Sequence, residues 1–181
     1  MNKHIERETK HTKPLAAALL IFGTIFTFGS AQFPLGPVQN IGWEIANMLN
    51  VSAYCIIMVI LARHGYDLVT AGFSLLVGAQ GFAIATTANP VHTDLSLYAA
   101  VFMLYVPGYL IIAGYSGFAR WVRIACVLVC IPFCTEAVWI LQGVEIAQTG
   151  FVNYSGYILR AIIDVYLIVI LLKKKGDSHL Y

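Results

Sequence analysis

The chain has 181 residues, of which 59% are hydrophobic and only 11% are charged, and its formal net charge is +2. Soluble domains carry about 25% charged residues, so the composition excludes an ordinary water-soluble domain of this length. The length allows one compact bundle without a second soluble domain, and the basic residues flank apolar segments instead of forming a patch, which argues against nucleic acid as a partner.

Six apolar segments follow one another along the chain. A helix needs about 20 apolar residues to cross a hydrocarbon core about 30 Å thick. The six segments cover residues 14–31, 41–62, 67–88, 95–116, 118–142 and 153–172. We therefore predict an all-α, polytopic integral membrane protein with six transmembrane helices in residues 14–172, flanked by cytoplasmic tails at 1–13 and 173–181.

The first segment has the features of a signal peptide as well as those of a span. It has a basic start, an apolar run and small residues at Gly29, Ser30 and Ala31. We interpret it as the first span, retained in the protein.

The basic residues predict that both termini are cytoplasmic. Lys and Arg concentrate in cytoplasmic loops, and the segments 32–40, 89–94 and 143–152 contain neither. With the amino terminus inside, ten of the eleven basic residues are cytoplasmic, and the exception is Arg160 in the last span. A five-span chain would break this rule. The short loops favour a bacterial inner membrane as the location.

The third segment is rich in small residues, several of them four positions apart. Ser74 and Gly78 form one such pair, and Gly81 and Ala85 form another. Strips of small side chains let membrane helices approach closely. We therefore predict that the third span is a central, buried helix.

Two later spans contain proline, at Pro107 and Pro132. Because proline removes a backbone hydrogen bond and clashes with the preceding turn, we expect kinks there. The fifth span also carries Cys126, Cys130 and Cys134 on one face. No histidine shares their depth and they lack Cys-x-x-Cys spacing, so we interpret them as packing residues and predict neither a metal nor a cofactor.

Four ionisable residues lie within or at the edge of the spans: Glu44, Glu136, Arg160 and Asp164. Such side chains are costly in a membrane, so each is a candidate functional residue. At 1.5 Å per residue, Glu136 lies about 24 Å and Arg160 about 20 Å from the cytoplasmic boundary. We predict that these two residues pair. Asp164, one turn below Arg160 on the same helix face, would hold Arg160 from the other side, and Glu44 would lie near the outer boundary.

Tyr105 and Tyr109, deep in the fourth span, complete the candidate substrate-binding residues, since buried tyrosine hydroxyls need partners. Two interpretations of the Glu136–Arg160–Asp164 group stay open. It is either a buried network that fixes helix register or the lining of a polar cavity open to the outer side. In the second case the excess of acids suits a cation, a proton or an amine-bearing solute. The loop residues His92 and Asp94 are too few for a metal site.

The leading prediction is a protein that binds or transports a small solute, a cation or a proton in the outer half of the bundle. The first alternative is a non-catalytic subunit or scaffold of a membrane complex. The second is a membrane enzyme acting on a lipid or quinone, which is disfavoured because only Glu44, His92 and tyrosine hydroxyls could act as a nucleophile, a base or a metal ligand near the acids. Expected partners are membrane lipid, the solute or cation, and either a second copy of the chain or a membrane complex.

Overall fold

The structure, a computed structural model, describes residues 3–34, 36–87, 95–144 and 150–173. These residues form helices connected by turns and contain no strand. The seven helices are α1 (Lys3–Ser30), α2 (Pro37–Arg63), α3 (Asp67–Thr87), α4 (Leu95–Ala113), α5 (Arg120–Leu128), α6 (Cys130–Leu141) and α7 (Phe151–Leu172).

Within the described residues, five helical stretches are long and apolar enough to cross a membrane. They belong to α1, α2, α3, α7 and the continuous pair α5–α6, which together cover Arg120–Leu141. The sixth stretch, Leu97–Ala113 in α4, is shorter, and at 1.5 Å per residue its length is about 26 Å. The prediction of an all-α chain with helices of membrane-spanning length is thereby confirmed for the described residues.

The helix ends lie within a few residues of the predicted ones, except at the start of α1. This helix begins at Lys3, so most of the predicted tail 1–13 is helical and continuous with the first span. The apolar pattern does not reveal this extension because residues 3–13 are polar. They include Lys, Arg and Glu, however, which are good helix formers in water.

The fifth span runs over Arg120–Leu141 but has a local irregularity near its middle, where α5 ends and α6 begins. Val129 separates the two helices but keeps a helical backbone, with φ −64° and ψ −22°. Pro132 has no N–H to bond to the carbonyl of Leu128, so one rung of the hydrogen-bond ladder is missing here. In contrast, α4 continues through Pro107 without a break.

The helices form a closed ring in chain order. Each of α1 to α4 packs against the next, α4 packs against α5 and α6, these pack against α7, and α7 returns to α1. The prediction that the third span is central is therefore wrong. The interior of a ring is filled by side chains, and α3 has an outward face on which Ser74, Gly81 and Ala85 are exposed.

The two ends of the ring differ in character. One end, called the basic end below, carries Arg63, Arg120, Arg123 and Lys173. It is closed by a chain of ring contacts that connects His64, Tyr66, Tyr115, Phe118, Tyr166 and Trp121. Polar interior residues lie between this aromatic layer and the opposite end.

Candidate functional site

A buried ion pair on α7 lies inside the ring. The Arg160 Nε atom is 3.6 Å from Asp164 Oδ2, and both side chains are 4% exposed. The predicted association of these two residues, which are one helical turn apart, is therefore found. At 3.6 Å the contact is an ion pair but not a hydrogen bond, so Oδ2 retains its capacity to accept one.

Asp164 also binds α2, a helix that does not pack against α7. The Tyr54 hydroxyl donates to Asp164 Oδ1 across the interior at 2.7 Å. The guanidinium carbon of Arg160 lies 5.7 Å from the centre of the Tyr54 ring and 5.5 Å from that of Tyr105. At this range both ring faces attract the cation, so two aromatic rings and one carboxylate surround the Arg160 charge.

Gln80 and Tyr105 continue the network into α3 and α4. Arg160 Nη1 donates to the Tyr105 hydroxyl at 2.9 Å. Gln80 also contacts this hydroxyl. In one orientation of the Gln80 amide, both its oxygen and its nitrogen have hydrogen-bond partners. The oxygen then accepts from Arg160 Nη1 and Nη2 at 2.6 and 2.8 Å. The nitrogen donates to Asn47 Oδ1 at 2.8 Å. The network thus ties α7 to α2, α3 and α4.

Glu136 lies outside this network. Its side chain is 0% exposed, and neither carboxylate oxygen has a hydrogen-bond partner in the described chain. The predicted pairing of Glu136 with Arg160 is therefore wrong. Arg160 extends across the ring towards α3 and α4. Phe133, one turn before Glu136, stacks on Tyr105 with ring centroids 5.1 Å apart and occupies the side of the network nearest α6.

The surroundings of Glu136 come from α4 and α7. Phe133, one turn before Glu136, packs against Tyr157 with ring centroids 6.0 Å apart, and electrostatic interactions couple Glu136 to Tyr98 and Tyr157. Asn153 Nδ2 donates to the Tyr98 hydroxyl at 3.2 Å. This group, which we call the Glu136 site, comprises Tyr98, Glu136, Asn153 and Tyr157 and lies towards the end of the ring opposite the basic end.

The remaining predicted site residues lie apart from these hydrogen bonds. Tyr109 is buried and stacks on Tyr105 at 6.0 Å, but its hydroxyl has no partner in the described chain. Glu44 is partly exposed on α2, and the structure does not bring it into contact with Arg160 or Asp164. Of the two predicted tyrosines, Tyr105 is thus the one that joins the network.

Sequence reasoning missed the neutral members of the site. Tyr54 and Gln80 bind the ion pair, Asn47 binds Gln80, and Phe133 stacks on Tyr105. The available signal was the presence of amides within apolar segments, because polar side chains in membrane helices face the bundle interior. Attention to ionisable residues alone overlooked it.

The predicted packing role of the cysteine row fits two of its three members. Cys126 and Cys130 are buried, and the Cys130 thiol lies 3.1 Å from the Cys126 carbonyl oxygen. Cys134 is exposed on the outside of the ring. The described chain contains no cluster of three metal-binding side chains. His92, Asp94 and Glu145 lie outside the described residues.

No family model, no curated protein and no solved structure matches this chain. The interior polar residues are therefore the basis on which a function can be argued.

Proposed function

We propose that this chain is a six-span integral membrane protein that binds a proton at Glu136, as one step in transporting it. The observation that carries this proposal is a fully buried carboxylate without a hydrogen-bond partner or a counter-ion in the described chain. An ionised carboxylate in such a place is strongly destabilised, whereas a protonated one is tolerated. The closed site therefore favours the proton-bound form.

The charge balance of the interior supports Glu136 as the proton acceptor. Arg160 and Asp164 neutralise each other, and Tyr54, Tyr105 and Gln80 supply their hydrogen bonds. Of the acids predicted to form the site, Glu136 is the buried one that lacks compensation. The excess negative charge inferred from the sequence is thus assigned to one residue.

The size of the interior favours a proton over a larger solute. The two cavities that reach Asp164 each have room for about one water molecule. A bare metal cation would need several oxygen ligands around it, and none of the described residues offers Glu136 a polar partner within hydrogen-bond distance. A proton needs neither space nor a ligand shell.

The proposed orientation lets the proton enter from the outer side. If the basic end is cytoplasmic, as the positive-inside rule predicts, the Glu136 site lies in the outer half of the membrane. The aromatic layer closes the inner end, so release to that side requires a rearrangement. A bacterial inner membrane is the proposed location.

Infrared spectroscopy of the protein in liposomes tests proton binding directly. We expect a carboxylic-acid C=O band that titrates with pH in the wild type and is absent from Glu136→Gln. Glu44→Gln is the matched control, because Glu44 is partly exposed and its replacement should leave the band in place. A titrating band that persists in Glu136→Gln would contradict the assignment.

Proton transport is tested with liposomes that enclose a pH-sensitive dye. After a pH step, wild-type and Glu44→Gln liposomes should equilibrate faster than protein-free liposomes, and Glu136→Gln should match the protein-free rate. Equal rates for all of them would limit the function to proton binding. The subunit and enzyme alternatives stay predictions.

A further inference from the structure

A second polar region lies in a cleft between α1, α2 and α7 and shares Tyr157 with the Glu136 site. It has room for about one water molecule. Its polar lining consists of Thr24, Thr27, Asn50, Tyr157, Arg160 and Asp164. The cleft thus reaches the buried ion pair from the outer surface of the ring.

Two hydrogen-bond acceptors are available in this cleft. Asn50 is 2% exposed, and its Oδ1 atom has no partner in the described chain. This amide lies against Gly23 of α1, where any Cβ would collide with it. Asp164 Oδ2 is 3.6 Å from Arg160 Nε, beyond hydrogen-bond distance, and can also accept.

The Thr27 hydroxyl and the Arg160 Nη atoms in the cleft already donate to other groups. The Thr27 hydroxyl donates to the Gly23 carbonyl at 2.8 Å. Arg160 directs Nη1 and Nη2 to Gln80 and Nη1 to Tyr105. Because a buried carbonyl without a donor is costly, the cleft is chemically suited to a ligand that supplies an O–H group. A ligand with acceptors alone would leave Asn50 unsatisfied.

The cleft opens towards the bilayer if the ring spans a membrane. Thr24, Thr27 and Tyr157 are partly exposed. The two threonines lie in the last two turns of α1, and Tyr157 lies in the first half of α7. Outward-facing positions at this depth contact lipid. A ligand that reaches them carries an apolar tail in the hydrocarbon region and a polar head in the cleft.

We propose that this cleft binds the hydroxyl head of a membrane-resident amphiphile, with Asn50 Oδ1 as the principal acceptor and Thr27 beside it. The cleft has room for one group the size of water, which matches a hydroxyl and excludes a phosphate headgroup. The proposal does not rest on proton binding at Glu136: the two sites share Tyr157, but the acceptor Asn50 belongs to the cleft alone.

Photolabelling of the full-length protein in detergent tests the proposal. The probe is a long-chain primary alcohol with a photoreactive group on its tail, and mass spectrometry locates the label. We expect labelling of α1 and α7 beside the cleft. The unlabelled alcohol should compete at an about tenfold lower concentration than its methyl ether, which has the same tail but no donor.

Two variants identify the acceptor. Asn50→Leu and the nearly isosteric Thr27→Val should both reduce labelling, so the test does not depend on Asn50→Leu folding. Thr135→Val is the matched control, since Thr135 makes the same bond to the carbonyl four residues earlier, on α6. Equal competition by the ether, undiminished labelling in both variants, or no labelling beside the cleft would overturn the proposal. The last result would mean that water alone occupies the cleft.

Discussion

The guanidinium of Arg160 has one carboxylate near it, that of Asp164, among the described residues. Removing one partner of a buried ion pair leaves the other charge uncompensated, whereas removing both can be nearly neutral. The ring faces of Tyr54 and Tyr105 reduce this cost but do not supply a counter-charge. The pair therefore holds α7 in register against the opposite side of the ring.

Replacing Asp164 with Asn should destabilise the protein strongly. We expect a loss of about 3–5 kcal/mol in the free energy of unfolding, the usual cost of breaking a buried pair. The measurement is unfolding of the detergent-solubilised protein by titration with a denaturing detergent. The double variant Arg160→Met/Asp164→Asn should lose less than Asp164→Asn alone, and a larger loss in the double variant would show that the two residues act independently.

The sequence predicted part of this site correctly, for a physical reason. Positions 160 and 164 are one turn apart on a helix, so their association follows from helical geometry alone. The pairing of Glu136 with Arg160 was inferred from equal depth, which does not determine the direction in which each side chain points. Arg160 points towards Gln80 and Tyr105, and this direction depends on tertiary packing that no local pattern reveals.

At the level of elements, α3 and α4 approach each other closely at two glycines. A Cβ on Gly72 would lie 3.0 Å from the Gly108 carbonyl oxygen and 2.7 Å from Ile112 Cγ1. Gly108 meets Leu76 and the Gly72 backbone in the same way. Small residues are thus required at this crossing. Gly108, which follows Pro107, therefore has a packing role.

Gly72→Ala should destabilise the α3–α4 contact. Because backbone atoms cannot move aside easily, we expect a loss of about 1–3 kcal/mol, typical of overpacking. Gly81→Ala is the control, since a Cβ there meets nothing within 4 Å. Thermal unfolding in detergent measures both variants, and equal stability of Gly72→Ala and wild type would show that the helices can separate at this crossing without cost.

Helix positions were predictable to within a few residues because apolar length alone determines them. The place of α3 in the bundle was not. Its small residues favour close packing, but the sequence does not say whether a helix is surrounded on all sides or lies in a ring. Gly72 and Ala79 are buried, whereas Gly81 and Ala85 face outward. The same richness in small residues is therefore found both at helix contacts and on the outer surface.

At the scale of the whole molecule, the closed ring creates an interior that no helix fills. Tyr54, Gln80, Tyr105 and Arg160 meet there although α2, α3 and α4 do not pack against α7. The hydrogen bonds of these residues therefore connect opposite sides of the ring. We therefore expect a change at this centre, such as Asp164→Asn, to weaken the hydrogen bonds that connect α7 to α2, α3 and α4.

If Glu136 binds a proton as proposed, the orientation of the ring decides which side of the membrane supplies it. The absence of Lys and Arg from segments 32–40, 89–94 and 143–152 predicts that the end opposite the basic end lies outside. In a chain whose four native cysteines are replaced by Ala, Gln32→Cys should react with a membrane-impermeant thiol reagent in intact cells. Ser116→Cys, exposed at the basic end, should react only after lysis. The reverse pattern would place Glu136 near the cytoplasm, and the proton would then bind from the cytoplasmic side.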